Sequence, residues 1–289
     1  MRNIPVGRPD LSPTRRRWRD RLAIPLMVAG ALTVIAASAW SVGAFSADDA
    51  PGPIVARTDP LLPDLAMGPI EDIAVGTTDL GQERLRFAAS IVNIGEGPLL
   101  VRAQRPWIGG DEWTVSQWMA ERDGGFSVRP TGANLIYGGD NHHHWHVKQV
   151  EIHQIESLDG KVLGRLVKQG FCFFDTDPYQ TELPGAPAKA HWGGRGCAGS
   201  FDTRVRMGLS IGWADKYPWH LLDERIDVTD LPDGTYRIRE IADPHNDFEE
   251  SDETNNETWV DVTLKTNAEG LRETSVVATG PAPRAAPAS

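Results

Sequence analysis

Cysteine is scarce in this chain of 289 residues, which holds two, Cys172 and Cys197. A disulfide-dense scaffold and a zinc site built from four thiolates are therefore both excluded. Positive charge is also under-represented, with 29 Lys and Arg against 40 Asp and Glu and a formal net charge of −11. That balance argues against nucleic acid as a partner and leaves cationic partners open. No glycine-rich dinucleotide loop or P-loop occurs, so nucleotide chemistry is not indicated. Helical periodicity of useful length is missing too, apart from EWTVSQWMAE at 112–121.

Charged side chains are absent from residues 22–45, LAIPLMVAGALTVIAASAWSVGAF. A run of about 20 apolar residues covers a bilayer core, and the arginines of RRRWRDR just before it would stay on the cytoplasmic side. The expected order is a basic cytoplasmic segment over 1–21, a transmembrane anchor over 22–45, a linker over 46–60, a folded domain over 61–266 and a disordered tail over 267–289. Small residues near Ala37, Ser38, Ala39 and Ser46 leave a cleaved signal sequence, and a secreted product, as the alternative. Either way the domain lies outside the cytoplasm, where Cys172 and Cys197 are expected to pair; two buried free thiols are the alternative.

The domain reads as mainly β. Leu85, Phe87, Ala89 and Ile91 alternate before Gly95 and Gly97 end the run, and VKQVEIHQIESLDGKVLGRLVKQGFCFF reads as strand, turn at Asp159 and Gly160, strand. ERIDVTDLPDGTYRIREIAD repeats the pattern with a turn at Pro232 to Gly234, and TWVDVTLK supplies a last strand. Short strands with Gly and Pro turns indicate a β-sandwich-like domain, or an open barrel, with long irregular loops.

The stretch GDNHHHWHV at 139–147 gathers four of the eight histidines. If it is a strand, His142, His144 and His146 share one face while His143 and Trp145 point to the other. No cysteine or carboxylate is interleaved, which disfavours structural zinc and calcium; imidazoles with open positions suit Cu(II), Zn(II) or Fe(II). Asp140 is close enough in sequence to orient one ring as an outer acceptor.

HHHWH resembles the H-x-H-x-H copper motif of the lysyl oxidases. The resemblance continues in order through KQGFCFFDTD, GWADKY, RIDVTDLPDGTYRIR and DPHNDFEESDETNN, and LPDL at 62–65 resembles the start of that family's catalytic domain. Without scavenger-receptor repeats or a long basic pro-region, the chain looks like a compact, bacterial-type relative.

The resemblance implies a copper amine oxidase that converts peptidyl lysine or small primary amines to aldehydes, using dioxygen and releasing ammonia and hydrogen peroxide. It makes His142, His144 and His146 the copper ligands and Lys168 and Tyr217 the precursors of a lysine tyrosylquinone cofactor. The family's cysteine beside the tryptophan of GWADKY is missing here, and Tyr179 ranks second as the cofactor tyrosine. His153 matches a family histidine and is a candidate general base, although seven residues after His146 a regular strand would put it on the opposite face unless a bulge intervenes. The resemblance also implies a calcium ion held by Asp64, the Leu65 carbonyl, Glu250, Asp252, Asn255 and Asn256; the segment starting at Asp243 does not fit an EF-hand. The rival readings are a copper-binding β-domain that stores or delivers the metal, and a non-haem iron enzyme, which normally needs a carboxylate ligand.

Overall fold

The computed structural model describes residues 59–138, 142–168, 170–221 and 225–285. The basic segment, the apolar run at 22–45, nearly all of the linker, and Asp140 lie outside the described residues. Among the described residues no helix is long and apolar enough to cross a membrane.

The chain is mainly β, and among the described residues its strands form four sheets in which every pairing is antiparallel. One runs β1 (Pro60–Leu61), β6 (Thr114–Glu121), β5 (Leu99–Gln104), β14 (Arg204–Leu209), with β7 (Phe126–Pro130) also on β6. A second is built on β4 (Glu83–Asn93), which pairs with β2 (Leu65–Met67), β3 (Glu71–Thr77), β15 (Trp213–Tyr217) and β16 (Arg225–Asp227); β13 (Asp177–Pro178) lies outside β15. The third runs β11 (Val162–Val167), β10 (Glu151–Ser157), β17 (Gly234–Ala242), β18 (Glu257–Thr266), β19 (Arg272–Thr279). The smallest is β12 (Gly170–Phe171), β9 (Trp145–Lys148), β8 (Leu135–Tyr137).

All four sheets contribute to one core. Leu85, Phe87, Ala89 and Ile91, the alternating set on β4, are buried together with Val101, Val147, Phe171, Met207, Ile238 and Val262. Each large apolar side chain so buried stabilises the fold by roughly 1.5–3 kcal/mol. Cys172 and Cys197 form the disulfide that the sequence reading expects, with Cα atoms 5.9 Å apart. It ties the segment after β12 to the short 3-10 turn Gly194–Cys197 that precedes β14.

Two expectations need correction. EWTVSQWMAE is a strand, not a helix: residues 114–121 alternate in burial, and β5 and β7 take up the backbone hydrogen bonds on its two sides. A ten-residue window with mixed apolar and polar positions fits either period, and the neighbouring strands decide. The segment after 266 is not simply a tail either. β19 pairs with β18 from Thr266↔Arg272 to Val260↔Thr279, and Pro283 O accepts hydrogen bonds from Tyr179 Oη (3.0 Å) and Gln180 Nε2 (2.9 Å).

Candidate functional site

His142, His144 and His146 come together, with one ring nitrogen from each within 4.8 Å of the others. His142 Nδ1 and His146 Nε2 are 3.3 Å apart. Strand alternation is not the cause, because β9 starts only at Trp145; the two earlier histidines belong to the irregular approach to it. His146 is slotted between two glycines. A Cβ on Gly138 would meet its Cε1 at 2.6 Å, and one on Gly170 would meet its Cβ at 2.3 Å. His143 is exposed, while Trp145 is buried in the core, donating Nε1–H to Gly199 O at 2.9 Å and stacking under the Arg105 guanidinium. Burial, with help from His142 and His143, lowers the pKa of His144, which favours the neutral imidazole that metals bind. Its Nε2 is buried without a hydrogen-bond partner among the described residues. An imidazole triplet of this kind fits a borderline transition metal such as copper or zinc.

A lysine–tyrosine pair is connected to it through β12. Lys168 Nζ stands 3.3 Å from the centroid of the Tyr217 ring, and both residues are buried. Register explains the meeting. Lys168 follows β11 and continues its pairing with β10, donating its backbone N–H to Glu151 O at 3.1 Å; Tyr217 ends β15 opposite Ala89 of β4. Phe171 of β12 packs on the Tyr217 ring at 4.7 Å, and Cys172 N–H donates to Tyr217 Oη at 3.4 Å. Because β12 also pairs with β9, with Phe171 opposite Val147, it joins the histidine cluster to the tyrosine. Tyr179, the second-ranked tyrosine, is engaged with Pro283 instead.

The charges around this pair were largely missed by the sequence reading. Glu151 Oε2 is 3.2 Å from Lys168 Nζ. His153 lies between two carboxylates, with Nε2 3.6 Å from Glu151 Oε1 and Nδ1 3.2 Å from Glu240 Oε1. All three are fully buried. Asp215, two residues before Tyr217 on the same face of β15, is raised well above the usual carboxylate range by burial, against the opposing pull of the Phe174 N–H and Lys168. Burial also raises the Tyr217 hydroxyl. The signal that could have found Glu240 is its place in YRIREIA: Tyr236, Ile238, Glu240 and Ala242 form one buried face of β17, and a lone carboxylate in an apolar alternation is rarely idle. The objection to His153 does not apply. β9 and β10 are separate strands, broken at Gln149 with φ 57°, so the count from His146 does not run along one strand.

The residues proposed for calcium join the domain's first segment to its late turn. Leu65 N–H donates to Glu250 Oε2, Asn255 Nδ2 to Asp64 Oδ1 at 2.9 Å, and Asn256 Nδ2 to Glu250 Oε1 at 3.0 Å. The Oδ1 atoms of Asn255 and Asn256 are buried without a hydrogen-bond partner among the described residues. Burial raises the Glu250 carboxyl to about 9 and also raises Asp64. Asp252 stands apart, at an exposed position where its Oδ1 accepts from Thr254 N–H and Oγ1–H.

Residues 138–273 match the lysyl oxidase family. Lysyl oxidase homolog 4 of Homo sapiens is 27% identical over 173 residues, covering 60% of this chain and 18% of its own length. Lysyl oxidase homolog 2 of Xenopus tropicalis is 29% identical over 136 residues, 46% of this chain and 16% of its own, and lysyl oxidase homolog 2 of Bos taurus 30% over 118 residues, 40% and 14%. The aligned part of the chain thus spans less than a fifth of these relatives. The family match includes the three histidines, Lys168, both cysteines, Tyr217 and the late acidic turn; Asp64 and Leu65 precede it.

Proposed function

The chain belongs to the lysyl oxidase family, and from that premise we propose that it is a copper- and quinone-dependent amine oxidase acting on primary amines, either peptidyl lysine or small amines. The observation that carries this reading is the Lys168 amine at 3.3 Å over the Tyr217 ring, because a store or carrier of copper has no use for that pair. The assignment of copper to His142, His144 and His146 is supported by their converging ring nitrogens. Copper supplies redox contact with dioxygen, and the quinone made from Lys168 and Tyr217 supplies an electrophilic carbonyl that captures the amine.

The chain's own residues supply the rest. Lys168 Nζ approaches the ring face, the direction from which a nitrogen lone pair reaches a ring carbon, so the encounter is already organised. Phe171, Phe173 and the disulfide keep water from the covered side of Tyr217. Burial raises the Asp215 carboxyl well above the usual carboxylate range, which disfavours a negative charge beside the Tyr217 ring. His153, reached from Lys168 through Glu151, remains the candidate general base.

The reading includes a catalytic domain outside the cytoplasm, held at the membrane by residues 22–45; the arginines before that run and the disulfide support it. It also includes calcium at the clip formed by Asp64, Leu65, Glu250, Asn255 and Asn256, supported by the two buried amide oxygens.

The test is aerobic copper loading of the full chain, followed by intact mass, hydrazine labelling and peroxide release from primary amines. A labelled cross-link and amine-dependent peroxide are expected, with both lost in Lys168→Ala and in Tyr217→Phe. A chain that binds copper yet stays colourless, uncrosslinked and without peroxide would leave the storage reading in place.

A further inference from the structure

Glu151 enters the function proposed so far only as the link between Lys168 and His153, and Glu240 not at all, yet each is a carboxylate with no solvent exposure. They belong to a line of four groups. Lys168 Nζ meets Glu151 Oε2 at 3.2 Å, Glu151 Oε1 faces His153 Nε2 at 3.6 Å, and His153 Nδ1 faces Glu240 Oε1 at 3.2 Å. The sheet builds this line. Glu151 and His153 are alternate residues of β10, Glu240 of β17 is directly opposite His153, and Lys168 continues β11 opposite Glu151, so all four side chains share one face.

Glu151, His153 and Glu240 also present ligand atoms within 4.8 Å of one another, which is compact enough for a divalent ion. The Lys168 ammonium argues against one. Its nitrogen is 3.2 Å from Glu151 Oε2, so a divalent ion held by that carboxylate would have a like charge buried beside it. The other titratable groups around Lys168 are committed. Burial raises the Asp215 carboxyl and the Tyr217 hydroxyl, Asp215 Oδ2 accepts from Phe174 N–H at 3.2 Å, and Asp175 accepts from the backbone of His191, Trp192 and Ser210 and from the Ser210 hydroxyl. Glu151 pairs with the amine, its Oε2 3.2 Å from Nζ.

We propose that Glu151 accepts the proton of the Lys168 ammonium when Lys168 is joined to Tyr217, and that His153 and Glu240 are positioning residues that hold the Glu151 carboxylate and lead the proton away. The inference rests on the oxidase reading. An ammonium has no free electron pair, so no N–C bond can form until Nζ gives up a proton. Glu151 Oε2, 3.2 Å from Nζ, is an acceptor within reach, and transfer to it leaves both groups neutral.

The chemistry balances with dioxygen as the oxidant. One dioxygen converts the Tyr217 phenol to an ortho-quinone and leaves its second oxygen as water. The neutral Lys168 nitrogen then adds to a ring carbon; one nitrogen hydrogen and the hydrogen displaced from that carbon pass to the two ring oxygens. A second dioxygen takes two electrons and two protons from this product and leaves as hydrogen peroxide. The proton first taken by Glu151 is the single surplus proton of the sequence.

The experiment follows cross-link formation in the full chain after copper addition in air, by intact mass and peptide mapping, as a function of pH. Glu151→Gln is expected to slow formation near neutral pH on the order of a hundredfold, the usual contribution of a positioned base, and to recover as pH rises and hydroxide takes over. Wild-type rate and pH profile in Glu151→Gln would overturn the proposal, and so would slowing that high pH does not rescue, which marks a packing role. If Glu151→Gln does not fold, Glu151→Asp carries the test, with slower formation and the same recovery expected and wild-type behaviour overturning it. A divalent ion beyond those at the histidine triplet and at the Asp64–Glu250 clip, lost in Glu240→Gln, would also overturn it. A wild-type chain that binds copper but never cross-links brings down the oxidase reading itself, an outcome distinct from failure of Glu151 alone.

Discussion

At the scale of single residues, the site depends on what is missing beside His146. Gly138 and Gly170 leave room for its ring, and a methyl group on Gly170 would overlap the His146 Cβ at 2.3 Å. Gly170→Ala therefore has to push β12 away from β9 or displace the ring, and overpacking of this kind costs roughly 1–3 kcal/mol. The expected outcome is a lower melting temperature together with reduced copper content after loading, read by thermal unfolding and metal analysis. Wild-type values for both would show that His146 is not held by this contact. The sequence displayed His142, His144, His146, Lys168 and Tyr217 openly, because a cluster of imidazoles and the family motifs need no tertiary information. It concealed Glu151 and Glu240, since a carboxylate in a strand reads as solvated until the facing sheet covers it.

At the scale of elements, antiparallel register does the positioning. β10 receives Lys168 from β11 on one side and Glu240 from β17 on the other, and β12 links the β9 histidine to the β15 tyrosine. The late turn after β17 does comparable work for the residues around Asp64 and Glu250. Burial raises Asp243 from 3.8 to about 6 and Glu250 from 4.5 to about 9. In both cases the folded chain keeps a proton that the unfolded chain has released, so their stabilisation is complete at low pH and is lost as pH rises through the folded values. In calcium-free buffer with EGTA, the melting temperature is expected to fall from about pH 4 towards pH 9. Calcium is expected to restore it at pH 8 and to do little at pH 5, where protons compete for the same oxygens. A melting temperature that is flat across this range, with or without calcium, would remove the clip.

At the scale of the whole molecule, the last described segment belongs to the fold. β19 covers the edge of β18, and Pro283 receives Tyr179 and Gln180. Ending the chain after Thr266 would expose the β18 edge, and an uncovered edge strand is a template for pairing between molecules. The truncated protein is expected to melt at lower temperature and to scatter light increasingly with concentration; full-length behaviour would show that β19 is dispensable. The sequence reading stopped the domain at 266 because PAPRAAPAS coloured the whole end of the chain. RETSVVAT, just before it, has an irregular burial pattern and little of the alternation that marks a strand, so only its partner identifies it.

What the sequence determined by itself was composition-level and motif-level: a mainly β domain, two cysteines suited to a disulfide, and a triplet of alternate histidines followed at a distance by a lysine and a tyrosine. Those properties are carried by residue type and by short-range order along the chain. Only the tertiary structure decided that β9 and β10 are separate strands, that EWTVSQWMAE is extended, and that Lys168 and Tyr217 meet while Tyr179 does not join them. It alone decided that two glutamates and a histidine are enclosed beside that lysine. The reason is physical: burial and register arise from strands far apart in sequence, and the state of a buried charge is set by what those strands place around it.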